Sequence, residues 1–335
     1  DREYNGRMRS ALPWGGLSLA LVLAAAAGAC GDDTEDGGGS SSTSNTGGAS
    51  TTSSAQGGSG QGGSGQGGGA VTTTATGSTS SGMGGAGGAG GGGCGSLPVI
   101  QNPPQYLSET GLYSDITTDT VAPYVREFTP QFPLWTDAAQ KRRWIYIPEC
   151  DIVDTSDMDT WQVPVGTRLW KEFVRDGVRV ETRLIVRTGP AITDFKFAAY
   201  QWQGDEAVRV QNGVLDANGT GHDIPAESLC SSCHRKDWRV LGFSAIQLSH
   251  AGSATTIDSL GAEGLLSVPL PGGATVPGNA TEQAALGYLH SNCASCHYSG
   301  GIPSISMHMK LKVGDTTVTG TDTYTTTVNV QTTQF

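Results

Sequence analysis

The segment TRLWKEFVRDGVRVETRLIVR (Thr167–Arg187) contains two runs rich in Val, Leu, Trp and Phe. The pair Asp176-Gly177 separates the two runs, and an Asp-Gly pair in this position is a strong signal for a β-hairpin. The segment therefore predicts two adjacent antiparallel strands, one over Thr167–Arg175 and the other over Val178–Arg187.

Short runs of the same kind lie on both sides of this hairpin. Arg142–Pro148, Phe195–Trp202 and Ala207–Val210 are rich in β-branched and aromatic residues, and Asn-Gly pairs after them mark turns. We therefore expect residues 97–222 to form a β-rich domain with an antiparallel sheet or a small sandwich. Its tryptophans should lie in the core, although one or two of them could instead border a cofactor. They are Trp135, Trp144, Trp161, Trp170 and Trp202.

The sequence changes character after residue 222. Helical patterns cover Pro225–Cys233, Asp258–Leu266 and Thr281–Ser291, and the Thr-rich tail from Thr316 to Thr333 favours strand or loop. The expected fold class is therefore α+β, with an antiparallel β-rich region followed by a mainly helical region over residues 223–335.

The N-terminal segment has the features of an export signal. Arg7 and Arg9 precede an apolar run, Leu17–Ala29, which has the length of a signal-peptide core and is too short to span a membrane. Small residues directly before Cys30 resemble a bacterial lipobox, so we expect residues 1–29 to be a leader and Cys30 to be lipidated. The alternative is an ordinary signal peptide cut near Ala29. Met8 is the expected start of translation.

Residues 30–96 are rich in Gly, Ser and Thr, and they hold about half of the 50 glycines of the 335-residue chain. Such a segment buries too little apolar surface to offset the entropy of ordering, so we expect a disordered linker. The net charge of −11 argues against a nucleic-acid-binding protein, which needs a basic face.

Two segments share one spacing of cysteine and histidine, CSSCH at Cys230–His234 and CASCH at Cys293–His297. In an exported chain, C-x-x-C-H is the signature of covalently attached haem c. The two thiols add to the haem vinyl groups, and the histidine that follows is carried beneath the iron. The sequence thus predicts two covalent haems c. The predicted thioether residues are Cys230, Cys233, Cys293 and Cys296, and the predicted proximal iron ligands are His234 and His297.

Other uses of these cysteines are a zinc site, a thioredoxin-like redox pair or two local disulfides. A zinc site would require two pairs that are far apart in sequence to converge, and it would not need a histidine after each pair. A thioredoxin-like pair would need a βαβ context, which the pattern does not offer. Export also permits a disulfide between Cys94 and Cys150.

Seven sequence blocks, in this order and spacing, resemble a family of bacterial di-haem c-type cytochromes. The resemblance extends from about Leu107 to the end of the chain, and it implies a cytochrome c-like haem region after a β-rich region. It also implies export or lipid anchoring to a bacterial membrane, and electron exchange with a redox partner in the periplasm or at the cell surface. The blocks are Leu107–Tyr113, Pro133–Pro148, Val163–Phe173, Glu181–Arg187, Ile224–His234, Leu241–Leu248 and Tyr288–His297.

The distal haem ligands are less defined by the sequence. Members of this family continue after the second motif to a Met-Pro-Pro segment and a final helix, which are missing before Phe335, so we expect the second haem region to be incomplete. The candidates within the chain are His250 or His222 for the first haem, and Met307 or Met309 for the second.

Three functions are compatible with these features. The first is an exported electron carrier with two haems c. The second is a haem-dependent oxidoreductase of peroxidase or dehydrogenase type, in which one haem lacks a sixth protein ligand and binds substrate. The third is a lipoprotein without haem whose β-rich region binds a surface partner.

Overall fold

The central hairpin forms where the sequence predicts it. The computed structural model describes residues 95–136, 138–235, 238–302 and 304–331, and in it strands occupy Arg168–Arg175 and Val178–Arg187. Asp176 and Gly177 have φ angles of 51° and 81°. Both residues thus adopt the positive φ that a two-residue hairpin turn of type I′ requires.

Six strands build the main sheet, which is antiparallel with the strands in sequence order from β3 to β8. Two small two-stranded sheets, β1–β2 and β9–β10, accompany it. The strands are β1 (Tyr113–Asp115), β2 (Thr120–Val121), β3 (Arg126–Glu127), β4 (Gln140–Tyr146), β5 (Arg168–Arg175), β6 (Val178–Arg187), β7 (Phe195–Gln203), β8 (Glu206–Arg209), β9 (Val214–Ala217) and β10 (His222–Ile224). The antiparallel β-rich region is therefore confirmed.

One face of the main sheet carries the largest aromatic side chains. Trp144, Trp170 and Trp202 alternate with residues of the other face and are almost fully buried. Leu107 and Leu112, from the segment before β1, cover them. The core position expected for these tryptophans is thus confirmed, whereas Trp135 is 64% exposed and does not belong to the core.

The opposite face of the sheet is covered by segments that come much later in the chain. Ile145 of β4 and Leu169 of β5 pack in one buried cluster with Phe243, Leu248 and Ile257. The regions 97–222 and 223–335 therefore share a hydrophobic core, and contacts place all of the described residues in one structural unit, Gly85–Phe335.

The helices of the described chain are short. They are α1 (Cys230–Cys233), α2 (Ala245–Leu248), α3 (Ile257–Ala262), α4 (Ala280–Asn292) and α5 (Asp322–Thr327), with 3-10 turns at Leu107–Thr110, Glu227–Leu229 and Val318–Gly320. Only α4, with 13 residues, exceeds six residues among them.

The expectation of a mainly helical region over residues 223–335 is therefore wrong. Between α3 and α4, Pro269, Pro271 and Pro277 lack the amide hydrogen that a helix interior needs. Gly272 and Gly278 adopt positive φ angles of 80° and 100°, which interrupt regular structure. Loops consequently make up most of this region.

The Thr-rich tail also differs from the expectation of strand or loop. Thr321 caps α5, because its side-chain oxygen accepts a hydrogen bond from the Tyr324 amide at 3.1 Å. A threonine in this position satisfies an amide that the first helical turn leaves open. The cap allows a short helix in a segment whose composition favours extended structure.

The leader, Cys30 and Cys94 lie outside the described residues, as does the linker except for Gly95 and Ser96. Within the part of the chain that the structure describes, no helix has the length and apolar character needed to cross a bilayer.

Candidate functional site

The first Cys-x-x-Cys-His segment forms a single helical turn. A 3-10 turn leads into α1, and the His234 amide donates a hydrogen bond to the Cys230 carbonyl at 3.0 Å. One turn of helix brings residues three apart to the same side, so Cys230 and Cys233 present their thiols together. Neither cysteine forms a disulfide, and burial raises the pKa of the Cys230 thiol.

The His234 ring is held in a defined orientation. Its Nδ1 lies 2.6 Å from the Arg239 carbonyl oxygen, so Nδ1 carries the proton and Nε2 keeps its lone pair. The Phe197 ring lies against it, with 5.3 Å between the ring centroids. Burial lowers the pKa of His234 to about 4, which keeps the imidazole neutral near pH 7. A neutral imidazole oriented through its other nitrogen is the usual state of a metal-ligating histidine.

The second segment ends the longest helix. Asn279 caps α4 by accepting hydrogen bonds from the amides of Thr281 and Glu282, and the helix leads directly into Cys293. The amides of Cys296 and His297 both donate to the Cys293 carbonyl, at 3.1 and 2.9 Å. The two motifs therefore share the same local turn, and Cys293 and Cys296 also form no disulfide.

His297 has different surroundings from His234. Its Nδ1 is buried and has no hydrogen-bond partner within the described chain. A small hydrophobic cluster includes residues close to His297 in sequence. In it, Trp238 packs with Ala294 and Tyr298 and with the partly buried Met309. This cluster of Trp238, Ala294, Tyr298 and Met309 is called the second-motif cluster below.

A cleft of about 240 Å³ opens beside the second-motif cluster. Lys310 makes a cation–π contact with Trp238 in the wall of the cleft, with Nζ 4.8 Å from the centroid of the ring. Both signs of charge meet in the cleft. It is lined by Asp157, Asp159, Thr160, Trp238, Tyr298, Ser299, Lys310, Lys312 and Asp322.

The histidines proposed as distal ligands of the first haem are engaged elsewhere. His250 uses both ring nitrogens in a loop: Nε2 lies 2.7 Å from the Thr129 carbonyl oxygen, and Nδ1 accepts from the Gly252 amide at 3.1 Å. His222 is buried in β10, where Nε2 lies 2.7 Å from a Glu181 carboxylate oxygen. Either residue would have to give up a hydrogen bond before it could bind iron through that nitrogen.

The methionines lie in the segment after the second motif. The Met309 amide donates to the His297 carbonyl at 2.7 Å, so the backbone of Met309 is adjacent to the proximal histidine. Its side chain packs against the second-motif cluster, and Met307 is half-buried. Met309 is thus the nearer of the two candidates by backbone position, and no contact places its sulfur over His297.

Two features of the site were not predicted from the sequence. Arg239 orients His234 through a main-chain carbonyl, which any residue type could supply, so no pattern identifies it. The second is His290 of α4, which is only 3% exposed and whose Nδ1 accepts a hydrogen bond from the Leu311 amide at 3.0 Å. Its position one turn before Cys293, on the same side of α4 as the buried Leu286, is the signal that could have revealed its burial.

Cys150 is disulfide-bonded, whereas the other four cysteines that the structure describes form no disulfide. Across the described ranges, no three His, Cys, Asp or Glu side chains gather in a group that could hold a metal ion. Comparison of the chain with protein-family models, curated proteins and solved structures finds no match.

Proposed function

We propose that this protein is an exported di-haem c-type cytochrome that exchanges single electrons with a redox partner at a bacterial membrane. The observation that carries the proposal is the arrangement at Cys230, Cys233 and His234. Two cysteines that form no disulfide share one helical turn, and the following imidazole is neutral, with Nδ1 fixed on the Arg239 carbonyl and Nε2 left for a metal.

The chemistry of attachment agrees with the state of the cysteines. Each thiol adds across a haem vinyl group, with the sulfur bonding to one carbon and the hydrogen to the other, so no oxidant or reductant is consumed. The reaction requires cysteines that are not in disulfides, and none of the four motif cysteines is in one. When bound, haem supplies one-electron Fe(III)/Fe(II) chemistry, and the axial ligands set its potential.

The protein residues would hold and orient the two groups. His234 and His297 would supply the proximal nitrogen at each motif, while Arg239 keeps the His234 ring from rotating. The Cys30 lipid anchor and the linker belong to the same proposal. They would tether the described unit to the membrane and allow it to reach partners.

A haem oxidoreductase with one open iron site is the second candidate. It is favoured by the hydrogen bonds of His222 and His250, because both histidines proposed as sixth ligands of the first haem already use ring nitrogens within the fold. An iron without a sixth protein ligand binds carbon monoxide readily, whereas a six-coordinate carrier does not.

The decisive experiment is haem stoichiometry after expression with a haem c maturation system. A pyridine haemochrome assay on the full chain should give two haems per protein. Cys230→Ala and Cys293→Ala should each remove one haem, and Ser231→Ala and Ser295→Ala, inside the same motifs, should remove none. Bound zinc without covalent haem would refute the proposal. Carbon monoxide binding by the reduced chain with Cys293→Ala and Cys296→Ala, which carries only the first haem, would favour the oxidoreductase over the carrier.

A further inference from the structure

A row of cations crosses the sheet beneath the first motif. Arg143 of β4 lies opposite Lys171 of β5, and Lys171 lies opposite Arg183 of β6. Neighbouring strands are about 4.8 Å apart, so three positive side chains share one face within about 10 Å. Phe197, which contacts the His234 ring, stands on that same face, because it lies opposite Ile185, two residues after Arg183.

Two of these cations lack a negative partner. Arg143 is only 8% exposed, and no carboxylate of the described chain pairs with it or with Lys171. Burial lowers the pKa of Arg143 to about 10. Burial, together with repulsion from Arg143, Arg183 and Lys141, holds the pKa of Lys171 well below its usual value. Arg143 is thus buried and Lys171 half-buried, and neither forms an ion pair within the described residues.

The one carboxylate in the group is already in use. Glu181 is fully buried, and its two oxygens accept from Arg183 at 2.9 and 2.6 Å while one of them also contacts His222 Nε2. Glu181 therefore neutralises the Arg183 end of the row. Neither Arg143 nor Lys171 forms an ion pair with Glu181, so that end of the row has room for a further anionic group.

The positive charge extends to the motif itself. Arg239 contributes to it directly, because its Nη1 donates a hydrogen bond to the His234 carbonyl at 2.8 Å. Arg239 Nε is buried without a hydrogen-bond partner in the described residues. Buried charges are unfavourable unless paired. The arrangement therefore fits an anionic group beside the first motif.

We infer that Arg143 and Lys171 bind the two propionate carboxylates of the first haem, the one attached at Cys230 and Cys233. This inference rests on the proposed function. Haem carries its propionates on the edge away from the vinyl groups that react with cysteine. The Ala199 amide of β7, which lies opposite Arg183 of β6, donates a hydrogen bond to Glu227 in the turn that leads into Cys230. The thioether end therefore lies beside this part of the sheet. From there the row continues through β5 to β4, so Arg143 and Lys171 lie at the propionate end.

The test compares two double variants of the full chain that carry Cys293→Ala and Cys296→Ala, so that only the first haem is present. The site variant is Arg143→Gln with Lys171→Met. The control, Arg142→Gln with Lys196→Met, removes two cations from the opposite face of the same sheet. Removing cations beside the haem disfavours the reduced state. The site variant should therefore shift the reduction equilibrium at least tenfold, about 59 mV for one electron, and the control should shift it much less.

A second measurement reports on the propionates directly. Haem labelled with ¹³C in its carboxylates gives redox-difference infrared bands that respond to salt bridges at those groups. The bands should move in the site variant and stay in place in the control and in Lys171→Arg, which keeps the charge. If the double variant does not fold, Lys171→Met and Lys196→Met provide the same comparison.

The possible outcomes separate the two proposals. Covalent haem with unchanged potential and bands in the site variant overturns this inference and leaves the proposed function standing. A chain without haem at Cys230 and Cys233 overturns both. In a further measurement, phosphate is added to the chain that keeps Arg143 and Lys171, and the reduction potential of the first haem is recorded. If phosphate shifts the potential, a free anion occupies the cations, and the propionate assignment is wrong.

Discussion

The two Cys-x-x-Cys-His segments share one backbone turn and differ in everything around it. The first lies on a β-sheet, where His234 is oriented by the Arg239 carbonyl and faced by cations. The second ends a 13-residue helix, and His297 Nδ1 is buried without a partner among the described residues. The two motifs therefore share a backbone geometry, and their tertiary surroundings differ.

This difference matters for electron transfer. A cationic environment favours the reduced form of a redox group, because reduction removes one positive charge. The second motif lies next to a cleft in which aspartates offset the lysines. With both sites filled as proposed, we expect the first haem to have the higher potential, unless its axial ligands outweigh the effect.

The sheet beneath the first motif depends on the buried Glu181 carboxylate. Burial pushes its pKa up, but hydrogen bonding from His222 and the charge of Arg183 outweigh burial and leave the pKa below its usual value. Glu181→Gln removes the charge that pairs with Arg183 and His222. We expect a loss of about 2–3 kcal/mol in the free energy of unfolding, below the 3–5 kcal/mol of a fully buried pair because Arg183 is 32% exposed.

Urea denaturation at pH 7 measures this loss. The matched control is Glu263→Gln, which breaks the exposed ion pair with Arg126 and should cost under about 1 kcal/mol. Equal effects of the two substitutions would show that the first site does not depend on a buried charge network.

The second motif depends instead on helix packing. Gly287 of α4 faces the Phe132 ring so closely that an added Cβ would overlap it. Alanine favours helix by about 1 kcal/mol over glycine, yet overpacking costs about 1–3 kcal/mol. We expect Gly287→Ala to lower the free energy of unfolding by about 1–2 kcal/mol, measured by urea denaturation.

Gly314→Ala is the control for this substitution, because nothing lies within 4 Å of a Cβ at Gly314. It should change stability by no more than about 0.5 kcal/mol. A stabilising effect of Gly287→Ala would mean that α4 does not pack on Phe132 in solution.

His290 should give the second region its own pH dependence. Burial, and then the charge of Lys310, lowers the pKa of His290 to about 3 from an unfolded value near 6.5. Between these values the unfolded chain binds the extra proton. The free energy of unfolding therefore has its full value, as far as His290 is concerned, above about pH 6.5. It falls as the pH is lowered, by up to about 1.4 kcal/mol per pH unit.

His290→Leu should remove one of two histidine contributions to this slope, because His234, whose pKa burial lowers to about 4, gives the other. Urea denaturation of the haem-free chain between pH 7 and pH 4 measures the change. Leu286→Ala on the same helix is the control, because it removes buried apolar contacts and introduces no titrating group. It should lower stability by a similar amount at every pH. A slope that His290→Leu leaves unchanged would contradict the burial of this ring.

The sequence by itself determined the local structures. An Asp-Gly pair between two β-rich runs fixes the β5–β6 hairpin, because only a turn with two positive φ angles matches the twist of the strands. The predicted strand over Val178–Arg187 agrees with β6 at both ends. The spacing of Cys230 and Cys293 from the histidines likewise sets the two turns. Such features depend on residues a few positions apart.

Only the tertiary structure decided which groups meet across long distances. The cross-strand row of Arg143 and Lys171 depends on the register of β4 against β5, which no local pattern specifies. The partner of His234 and the hydrogen bonds that engage His222 and His250 arise in the same way. A buried polar group must find a partner wherever the fold provides one, and that partner is a property of packing between distant segments.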